Sequence, residues 1–295
     1  MKVLVTGAGG QVGRAVLRLA PSARVEAVGL TRADLDVTNA EQVRAAVRQH
    51  RPDAVVHAAA YTAVDRAEAE PEAAFAVNAD GPAHVAEACA EAGVPLVHLS
   101  TDYVFDGTKD GPYAPDDPPN PLGVYGASKE AGERAVRERL DRHLVLRTAW
   151  VFSGGPGNFI TTMLRLAGER DRLRVVADQW GHPTWADGVA RASLAAARLA
   201  AADRAPWGTL HVAGGPLATW HELAEATVAE GAALGLVPAV PVDPIPTEAY
   251  PTPARRPRRV ELETAPSLRA LGLGPLDWRS GVRESVGAWA ASGAG

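Results

Sequence analysis

Residues 2–13 read Lys2-Val3-Leu4-Val5-Thr6-Gly7-Ala8-Gly9-Gly10-Gln11-Val12-Gly13. The first five are mostly β-branched or apolar, which predicts a short buried strand. The glycines at 7, 10 and 13 allow a tight turn, and a helix is predicted from Arg14 to about Ala20, where Pro21 ends it. A strand, a glycine-rich turn and a helix in this order can hold a dinucleotide pyrophosphate at the helix N-terminus. The stretch therefore predicts a Rossmann-type fold.

Two side chains after the second predicted strand, Arg24 to Gly29, give opposite signals about the cofactor. Asp34 lies roughly 20 residues beyond the glycines, where an acid would bind a ribose 2′-hydroxyl and select NAD. Arg32 comes first after the strand and would instead bind the 2′-phosphate of NADP. We favour NADPH for this reason, with NADH as the alternative.

A third predicted strand, over 54–60, ends in the small residues Ala58, Ala59 and Ala60. Small side chains at the carboxyl end of a parallel strand let a nicotinamide ribose lie close to the backbone. We therefore predict that these alanines contact the cofactor. Before this strand, residues Thr38 to Glu41 have the pattern of a capping box, which predicts the start of a helix that ends near Gln49.

Two later stretches carry the residues for chemistry, Ser100-Thr101-Asp102-Tyr103 and Tyr125-Gly126-Ala127-Ser128-Lys129. The first follows an apolar run that predicts a buried parallel strand, and the second opens a helix predicted over 127–140. Tyr125 and Lys129 are four residues apart and so share one helix face, where an ammonium would lower the pKa of the phenol. Thr101 adds a hydroxyl against the same carbonyl oxygen. The three residues predict a proton-donating site for reduction of a ketone.

The alternation of strands and helices continues to Trp150 and predicts an α/β fold with a doubly wound parallel sheet. Because 295 residues approach the upper limit for one core, we also expect a smaller C-terminal substrate-binding domain. The predicted dinucleotide-binding domain covers 1–152, with 183–214 returning to it. The substrate-binding domain covers 153–182 and 215–295.

Seven prolines between Pro238 and Pro257 predict a segment without regular secondary structure. This segment is either a connecting loop or a wall of the substrate pocket. In the second interpretation, Arg255 to Arg259 would meet a diphosphate, since arginine binds phosphate oxygens in a bidentate manner.

Composition excludes several classes of function. A net charge of −5 argues against a nucleic-acid-binding surface. The single cysteine, Cys89, cannot form an internal disulfide and is predicted to be a core residue, and no metal site is predicted. No apolar run approaches the ~18 residues of a membrane-spanning helix, and no signal peptide is evident, so we expect a cytoplasmic protein without membrane contact.

Several stretches resemble, in order, the extended short-chain dehydrogenase/reductase family and, within it, the dTDP-4-dehydrorhamnose reductases. The stretches that carry the resemblance are Gly7 to Gly13, Ala58 to Asp65, Ser100 to Phe105, Tyr125 with Lys129, Arg147 to Trp150, and Asp178 to Gly181. Arg256-Pro257 also resembles a late motif of the family, although the residues that follow it lack the serine of that motif.

The resemblance implies that the 4-keto group of dTDP-4-dehydro-L-rhamnose is reduced to dTDP-L-rhamnose by NADPH or NADH. Further cofactor contacts are implied at Gln11, Val12, Asp36, Val37, Tyr61 and Thr62, beside Tyr125 and Lys129, with Asp36 and Val37 flanking the adenine. Substrate contacts are implied at Thr101, Asp102, Tyr103 and Trp150. Magnesium is implied by the resemblance only, and no ligands for it map onto this chain. The expected partner is a nucleotide-sugar, and the expected assembly is a homodimer.

Two alternatives stay open. One is a sister enzyme that acts on another nucleotide-4-keto-sugar as a reductase or epimerase. The other is a non-catalytic, NADP-binding regulatory subunit similar to the β subunit of methionine adenosyltransferase. The intact set of Thr101, Tyr125 and Lys129 favours an enzyme.

Overall fold

The computed structural model describes residues 1–292, and a six-stranded sheet lies at its centre. In chain order, the strands are β1 (Lys2–Thr6), β2 (Glu26–Leu30), β3 (Ala54–His57), β4 (Leu96–Thr101), β5 (His143–Thr148), β6 (Val151–Phe152), β7 (Leu173–Val176), β8 (Trp180–Gly181), β9 (Thr184–Trp185), β10 (Gly208–His211), β11 (Ala218–Thr219) and β12 (Val242–Ile245). The central sheet has the order β10-β5-β4-β3-β1-β2, and every neighbouring pair is parallel. The predicted doubly wound parallel sheet is confirmed.

The strand order reverses at β1, because β2 lies on one side of it and β3 on the other. In open α/β sheets, ligands bind in the crevice beyond the carboxyl ends of the strands at such a point. The residues just after β1 and β3, Gly7 and Ala58, line this crevice. The glycine-rich turn is therefore located where a dinucleotide is expected.

Helices cover both faces of the sheet. They are α1 (Gln11–Leu19), α2 (Ala40–His50), α3 (Val64–Ala67), α4 (Pro71–Phe75), α5 (Gly81–Ala92), α6 (Val124–Arg139), α7 (Phe159–Glu169), α8 (Ala186–Ala201), α9 (Trp220–Ala233), α10 (Ala265–Ala270) and α11 (Trp278–Ala291). Because strand side chains alternate in direction, Val3 and Val5 pack in the core beneath α1 and α8, whereas Leu4 packs with α2, α5 and α6. Cys89 lies in the second core and is fully buried, as predicted.

The helical segment between Pro71 and Gly93 is divided into α4 and α5 by a π-helical turn over Ala76–Asp80. Asn78 is fully buried within this turn. Gly93 ends α5 in the left-handed region, at φ +67°, the usual role of a glycine after a helix. Such π turns often occur at functional sites.

Two predicted helix starts are corrected by side chains that the local pattern does not reveal. The capping residue of α2 is Asn39, whose side chain accepts the Gln42 N–H, whereas Thr38 bonds to Asp36 instead. Helix α6 begins at Val124 rather than near 127, because the Glu68 carboxylate accepts the Val124 N–H at 2.9 Å. Tyr125 therefore lies inside the first turn of α6.

The C-terminal part adds smaller cores and short strands to the large sheet. Strand β12 pairs with β7 in parallel, with Pro244 opposite Val175, so the prediction that 238–257 holds no regular element is wrong. A proline is tolerated there because an edge strand can leave one main-chain position without a donor. A hydrophobic cluster that includes Phe152, Ile160 and Trp278 joins α7, α9 and α11. In this way the segments after Trp150 are held at the carboxyl edge of the sheet.

Candidate active site

The three predicted catalytic residues meet at the carboxyl end of β4. Thr101 is the last residue of β4, Tyr125 is the second residue of α6, and Lys129 follows one turn later. The Thr101 hydroxyl donates to Asp102 Oδ1 at 3.2 Å and accepts the Tyr103 N–H at 3.2 Å, and it lies close enough to Tyr125 to influence the pKa of that phenol. The Tyr125 ring packs edge-on against Tyr103, with centroids 5.5 Å apart. This arrangement fixes both hydroxyls at one point.

Electrostatics at Tyr125 differ from the expectation. Burial raises the pKa of Tyr125 to about 12, and the nearby Thr101 hydroxyl opposes this only in part. The Lys129 ammonium donates instead to the Leu99 carbonyl at 2.8 Å, so the prediction that it lowers the pKa of Tyr125 is wrong for this structure. Burial also lowers the pKa of Lys129 to about 8, against the opposing charge of Glu133. Tyr125 is thus a protonated phenol at neutral pH, which is the form that a general acid requires.

The glycine-rich turn has the shape of a phosphate cradle. Gly7 has φ +69°, and a Cβ there would lie 2.4 Å from the Ala59 nitrogen. A Cβ on Gly13 would lie 2.3 Å from the Gly7 carbonyl oxygen, so only glycine fits at either position. Gly10 caps α1 without a side-chain bond, which leaves N–H groups of the first helical turn available to an anion. The residues present fit a dinucleotide pyrophosphate.

Gln11 and Val12, the other two residues of this turn that were predicted to bind the cofactor, use their side chains for contacts within the protein. The Gln11 amide donates to the Val151 carbonyl at 3.2 Å and accepts the Ser153 hydroxyl at 2.8 Å. Val12 packs against the core beneath α1 and α8. Contact of either residue with a cofactor would therefore come from the main chain.

The segment after β2 contains Asp34 and Arg32, the two residues that predicted different cofactors. The Asp34 carboxylate accepts both the N–H and the hydroxyl of Thr31, at 2.9 and 2.6 Å. Asp36 is held in the same manner by Thr38. Arg32 is exposed and forms no ion pair within residues 1–292. Of the two candidates, the guanidinium is the one free to bind a phosphate.

The remaining predicted cofactor residues lie at the same edge of the sheet but differ in exposure. Val37 is buried in the core, and its carbonyl faces the His84 ring nitrogen at 3.1 Å. Ala58, Ala59 and Ala60 follow β3 and are half-buried, whereas Thr62 is exposed.

Asn78 was missed by sequence reasoning, although it connects the cofactor side of the site to the catalytic helix. Its side chain accepts the Tyr61 N–H at 2.8 Å and donates to the Tyr61 carbonyl at 3.0 Å. It also donates to the Ser128 hydroxyl at 3.0 Å, which in turn donates to the Tyr125 carbonyl at 2.8 Å. The Tyr61 hydroxyl donates to Glu70 at 2.6 Å. The π-helical turn that aims Asn78 has no sequence signature that would have revealed it.

A cavity next to Thr101 is lined with aromatic and charged side chains. Its lining residues include Asp102, Tyr103, Trp150, Trp180, Trp220 and Arg256. The Trp150 ring stacks face to face on Trp220, with centroids 3.7 Å apart, and its edge covers Gly181, where a Cβ would come within 2.6 Å of the indole. Burial raises the pKa of the Asp102 carboxyl to about 7. The structure brings Asp102, Tyr103 and Trp150 together, as predicted, and adds Trp180 and Trp220.

The predicted arginine cluster, Arg255 to Arg259, is divided among different partners. Arg256 lines the aromatic cavity and binds both carboxylate oxygens of Asp65, one at 2.8 Å. Arg255 lines a second small cavity beside Tyr125. Arg258 pairs with Asp178 at 3.5 Å, and Arg259 pairs with Glu261 at 2.7 Å. Only Arg255 and Arg256 are thus located where a substrate diphosphate could meet them.

Two other kinds of feature are absent from residues 1–292. No group of three or more His, Cys, Asp or Glu side chains in this part of the chain is arranged to hold a metal ion. None of the helices described is both long and apolar enough to cross a membrane.

Comparison with known proteins gives concordant matches. The family described as RmlD substrate binding domain matches residues 1–290. A dTDP-4-dehydrorhamnose reductase of Burkholderia thailandensis is 45% identical over 290 residues, which are 96% of this chain and 97% of that protein. A crystal structure of a dTDP-4-dehydrorhamnose reductase from Clostridium acetobutylicum superposes with a TM-score of 0.88 at 34% identity and covers 97% of this chain and 99% of the other. A Bacillus anthracis dTDP-4-dehydrorhamnose reductase in complex with NADP has a TM-score of 0.87 at 34% identity, with 95% and 96% covered.

Proposed function

The chain belongs to the family of dTDP-4-dehydrorhamnose reductases, and we propose which of its residues perform each part of the NAD(P)H-dependent reduction of dTDP-4-dehydro-L-rhamnose to dTDP-L-rhamnose. The observation that carries the proposal is the position of Thr101, at the end of β4, beside Tyr125, in the first turn of α6, between the glycine cradle and the aromatic cavity. A hydride donor in the cradle and a keto sugar in the cavity would meet at this pair.

The cofactor is held along the carboxyl edge of β1, β2 and β3. When bound, the nicotinamide ring supplies the hydride for C4 of the sugar. The turn from Gly7 to Gly13 binds the pyrophosphate, Arg32 binds the 2′-phosphate, and Asp36 with Val37 borders the adenine. The half-buried Ala58–Ala60 and the main chain of Tyr61 and Thr62 border the nicotinamide half, with Tyr61 fixed by Asn78.

Tyr125 is the proton donor. As hydride reaches C4, the carbonyl oxygen becomes an alkoxide and takes the proton from the Tyr125 hydroxyl, which leaves a phenolate. Thr101 donates a hydrogen bond to the same oxygen and orients it. The Lys129 ammonium, held now by the Leu99 carbonyl, lies one helical turn away, where it would hold the cofactor ribose.

The nucleotide-sugar occupies the aromatic cavity. Trp150, stacked on Trp220, offers a rigid apolar surface for the sugar, while Tyr103 forms the wall towards Tyr125. Asp102 exchanges hydrogen bonds with sugar hydroxyls, and with a pKa of about 7 it can act as donor or acceptor near neutral pH. Arg256 faces the diphosphate from the C-terminal segment.

The division into domains follows the same proposal. Residues 1–152, with 183–214, form the dinucleotide-binding domain, which is supported by β10 and α8 packing with the large sheet. Residues 153–182 and 215–292 form the substrate-binding domain around the cluster that includes Ile160 and Trp278, and residues 293–295 of the predicted domain lie outside the part described. A homodimer and a cytoplasmic location stay predictions.

The test of the site assignment is the Tyr125→Phe variant. This change keeps the ring against Tyr103 but removes the acid, so kcat should fall by about 10²–10⁴-fold while the Kd for NADPH is unchanged. Steady-state NADPH oxidation with dTDP-4-dehydrorhamnose and fluorescence titration of NADPH measure the two quantities. Tyr250→Phe, at a tyrosine that is 63% exposed, is the matched control and should leave kcat unchanged. A Tyr125→Phe enzyme that binds NADPH and turns over at the parent rate would contradict the assignment.

The same assay separates the alternatives left open by the sequence. A sister reductase would oxidise NADPH only with a different nucleotide-4-keto-sugar, and a sister epimerase would give no net oxidation of NADPH. A regulatory subunit would bind NADPH without turnover in the absence of a partner. The assembled Thr101, Tyr125 and Lys129 and the family assignment favour the reductase.

A further inference from the structure

A buried ion pair lies behind the catalytic residues, on the side away from the cavity. The Arg147 guanidinium donates to both oxygens of the Glu133 carboxylate, at 2.9 and 2.7 Å, and the two side chains are 2% and 0% exposed. Ser100 Oγ donates to the same carboxylate at 2.5 Å, and Arg137 donates to it from the outer face at 3.1 Å. Every carboxylate oxygen of Glu133 is therefore bound.

Each member of this network is adjacent to a residue of the proposed mechanism. Ser100 precedes Thr101 in β4 and is directly opposite Arg147 in the register of β4 and β5. Glu133 follows Lys129 by one turn of α6, on the same helix face. Arg147 lies shortly before Trp150. The ion pair thus connects the strand that carries the threonine, the helix that carries the tyrosine and lysine, and the strand that leads to the tryptophan.

The network also reaches the loop between β4 and α6. Arg147 Nη1 donates to the Pro115 carbonyl at 3.1 Å, and its guanidinium lies over the Phe105 ring at 4.9 Å. Phe105 in turn stacks on Tyr113, with centroids 4.2 Å apart. The loop that borders the second cavity beside Tyr125 is consequently attached to the same pair of charges.

Stability alone does not account for such a pair, because replacing a buried ion pair by apolar side chains of similar volume is often neutral or stabilising. The position of the ion pair next to Lys129 is a better explanation for its presence. Lys129 is buried among neutral groups, with the imidazoles of His57 in β3 and His98 in β4 on one side and the Tyr125 phenol along its own helix. Glu133 is the negative charge that opposes its desolvation.

We propose that Glu133 is a positioning residue of the reduction: with Arg147 and Ser100 it fixes Thr101 and α6 relative to each other, and its carboxylate lies one turn from the Lys129 ammonium on the same face of α6. This inference rests on the proposed roles of Tyr125 and Lys129. The inferred effect on Lys129 predicts a signature that a merely structural ion pair would not have.

The test is the pH dependence of kcat for Glu133→Gln. Loss of the carboxylate removes the charge that raises the pKa of Lys129, so the fall in kcat at alkaline pH should move to lower pH by about one unit. Glu138→Gln removes the same charge from an exposed site on α6 and is the matched control, with an unshifted profile. A structural role alone would lower kcat equally at every pH.

Because Glu133→Gln leaves Arg147 buried without its partner, the single variant is expected to be less stable. The double variant Glu133→Gln with Arg147→Met removes both charges and should regain the lost melting temperature while retaining the shifted pH profile. An unshifted profile in either folded variant would overturn the inference. If Tyr125→Phe is also fully active, the proposed function fails as well; if Tyr125→Phe is inactive, only the role of Glu133 fails.

Discussion

At the scale of single residues, Arg32 is expected to determine cofactor choice. Its guanidinium is exposed beside an edge where Asp34 and Asp36 are already held by threonines. Arg32→Ala should weaken NADPH binding by ~1.5–3 kcal/mol, the usual contribution of a hydrogen bond to a charged group, and leave NADH binding unchanged. Titration of both cofactors measures this difference. Arg48→Ala, at an exposed arginine on α2, is the control, and equal losses for NADPH and NADH would show that Arg32 does not contact the phosphate.

Trp150 combines a strained backbone with a stacked side chain. Its φ of +43° is in the left-handed region, which is costly for a bulky residue, and its ring lies flat on Trp220. Trp150→Ala keeps this backbone cost but removes the stacking surface, so KM for the nucleotide-sugar should rise about tenfold while the Kd for NADPH stays constant. Trp207→Ala, at a tryptophan that is 36% exposed, should change neither constant. A variant that instead fails to fold would show that this tryptophan serves the core alone.

Sequence patterns predicted the site residues whose roles depend on neighbours close to them in the chain. Gly7 and Gly13 follow from a turn between a strand and a helix, and Tyr125 with Lys129 follows from helical spacing. Asn78 and Trp220 were not predicted, because their positions in the site depend on contacts between elements far apart in sequence. The error about the pKa of Tyr125 has the same origin, since spacing places Lys129 on the correct face but does not reveal that the Leu99 carbonyl binds it.

At the scale of elements, the long parallel strands and the helices between them were predicted because apolar runs and helix composition extend over many residues. Three features were not predictable in this way. The π-helical turn around Asn78 occurs in a continuous helical pattern, the first N–H of α6 is bound by Glu68 from the turn after α3, and β12 forms despite Pro244 because β7 pairs with it. In each case the partner that decides the local structure lies elsewhere in the chain.

One contact between elements is expected to control substrate binding. The Asp65 carboxylate in α3 accepts hydrogen bonds from the Arg256 guanidinium and the Ala254 N–H. These bonds hold the C-terminal segment across the cavity. Asp65→Asn weakens this bidentate pair, and the segment should become less ordered, so KM for the nucleotide-sugar should rise several-fold with little change in kcat. Glu169→Gln breaks an exposed ion pair on α7 and should leave KM unchanged. An unchanged KM for Asp65→Asn would mean that the segment is held by its other contacts, such as the main-chain bonds between Trp180 and both Arg258 and Val260.

At the scale of the whole molecule, the central sheet encloses histidines that cannot easily take up a proton. Burial lowers the pKa of His57 and of His211 to about 3, and lowers the pKa of His98 well below its ordinary value. The rings of His57 and His98 stack between β3 and β4, with the Lys129 charge nearby. His98 has no hydrogen-bond partner for either ring nitrogen within residues 1–292. The folded protein therefore holds these imidazoles neutral.

This burial makes the free energy of unfolding depend on pH below neutrality. A histidine whose folded pKa is below its unfolded value of 6.5 contributes its full stability above pH 6.5, and that contribution is lost as pH falls towards the folded pKa, because the unfolded chain binds the proton first. Each such histidine should lower the free energy of unfolding by about 1.4 kcal/mol per pH unit below 6.5. Depressed carboxyl groups such as Asp106, with a pKa of about 2, add to the loss only below about pH 4. Between pH 6 and pH 4.5 the histidines act against Asp102, whose folded pKa of about 7 adds stability as pH falls, so the contribution of one histidine is read from the difference between a variant and its parent.

His98→Leu tests this account, since it removes one buried imidazole that makes no hydrogen bond and replaces it with an apolar side chain of similar size. Urea unfolding at pH 7, 6, 5.5 and 4.5 should give a slope of stability against pH that is smaller than in the parent by about 1.4 kcal/mol per unit. Leu99→Ala, at the next position of β4, removes core volume but no titrating group, so it should lower stability by the same amount at every pH. If His98→Leu leaves the slope unchanged, the acid sensitivity comes from other groups, and the folded state must admit a proton to the centre of its sheet.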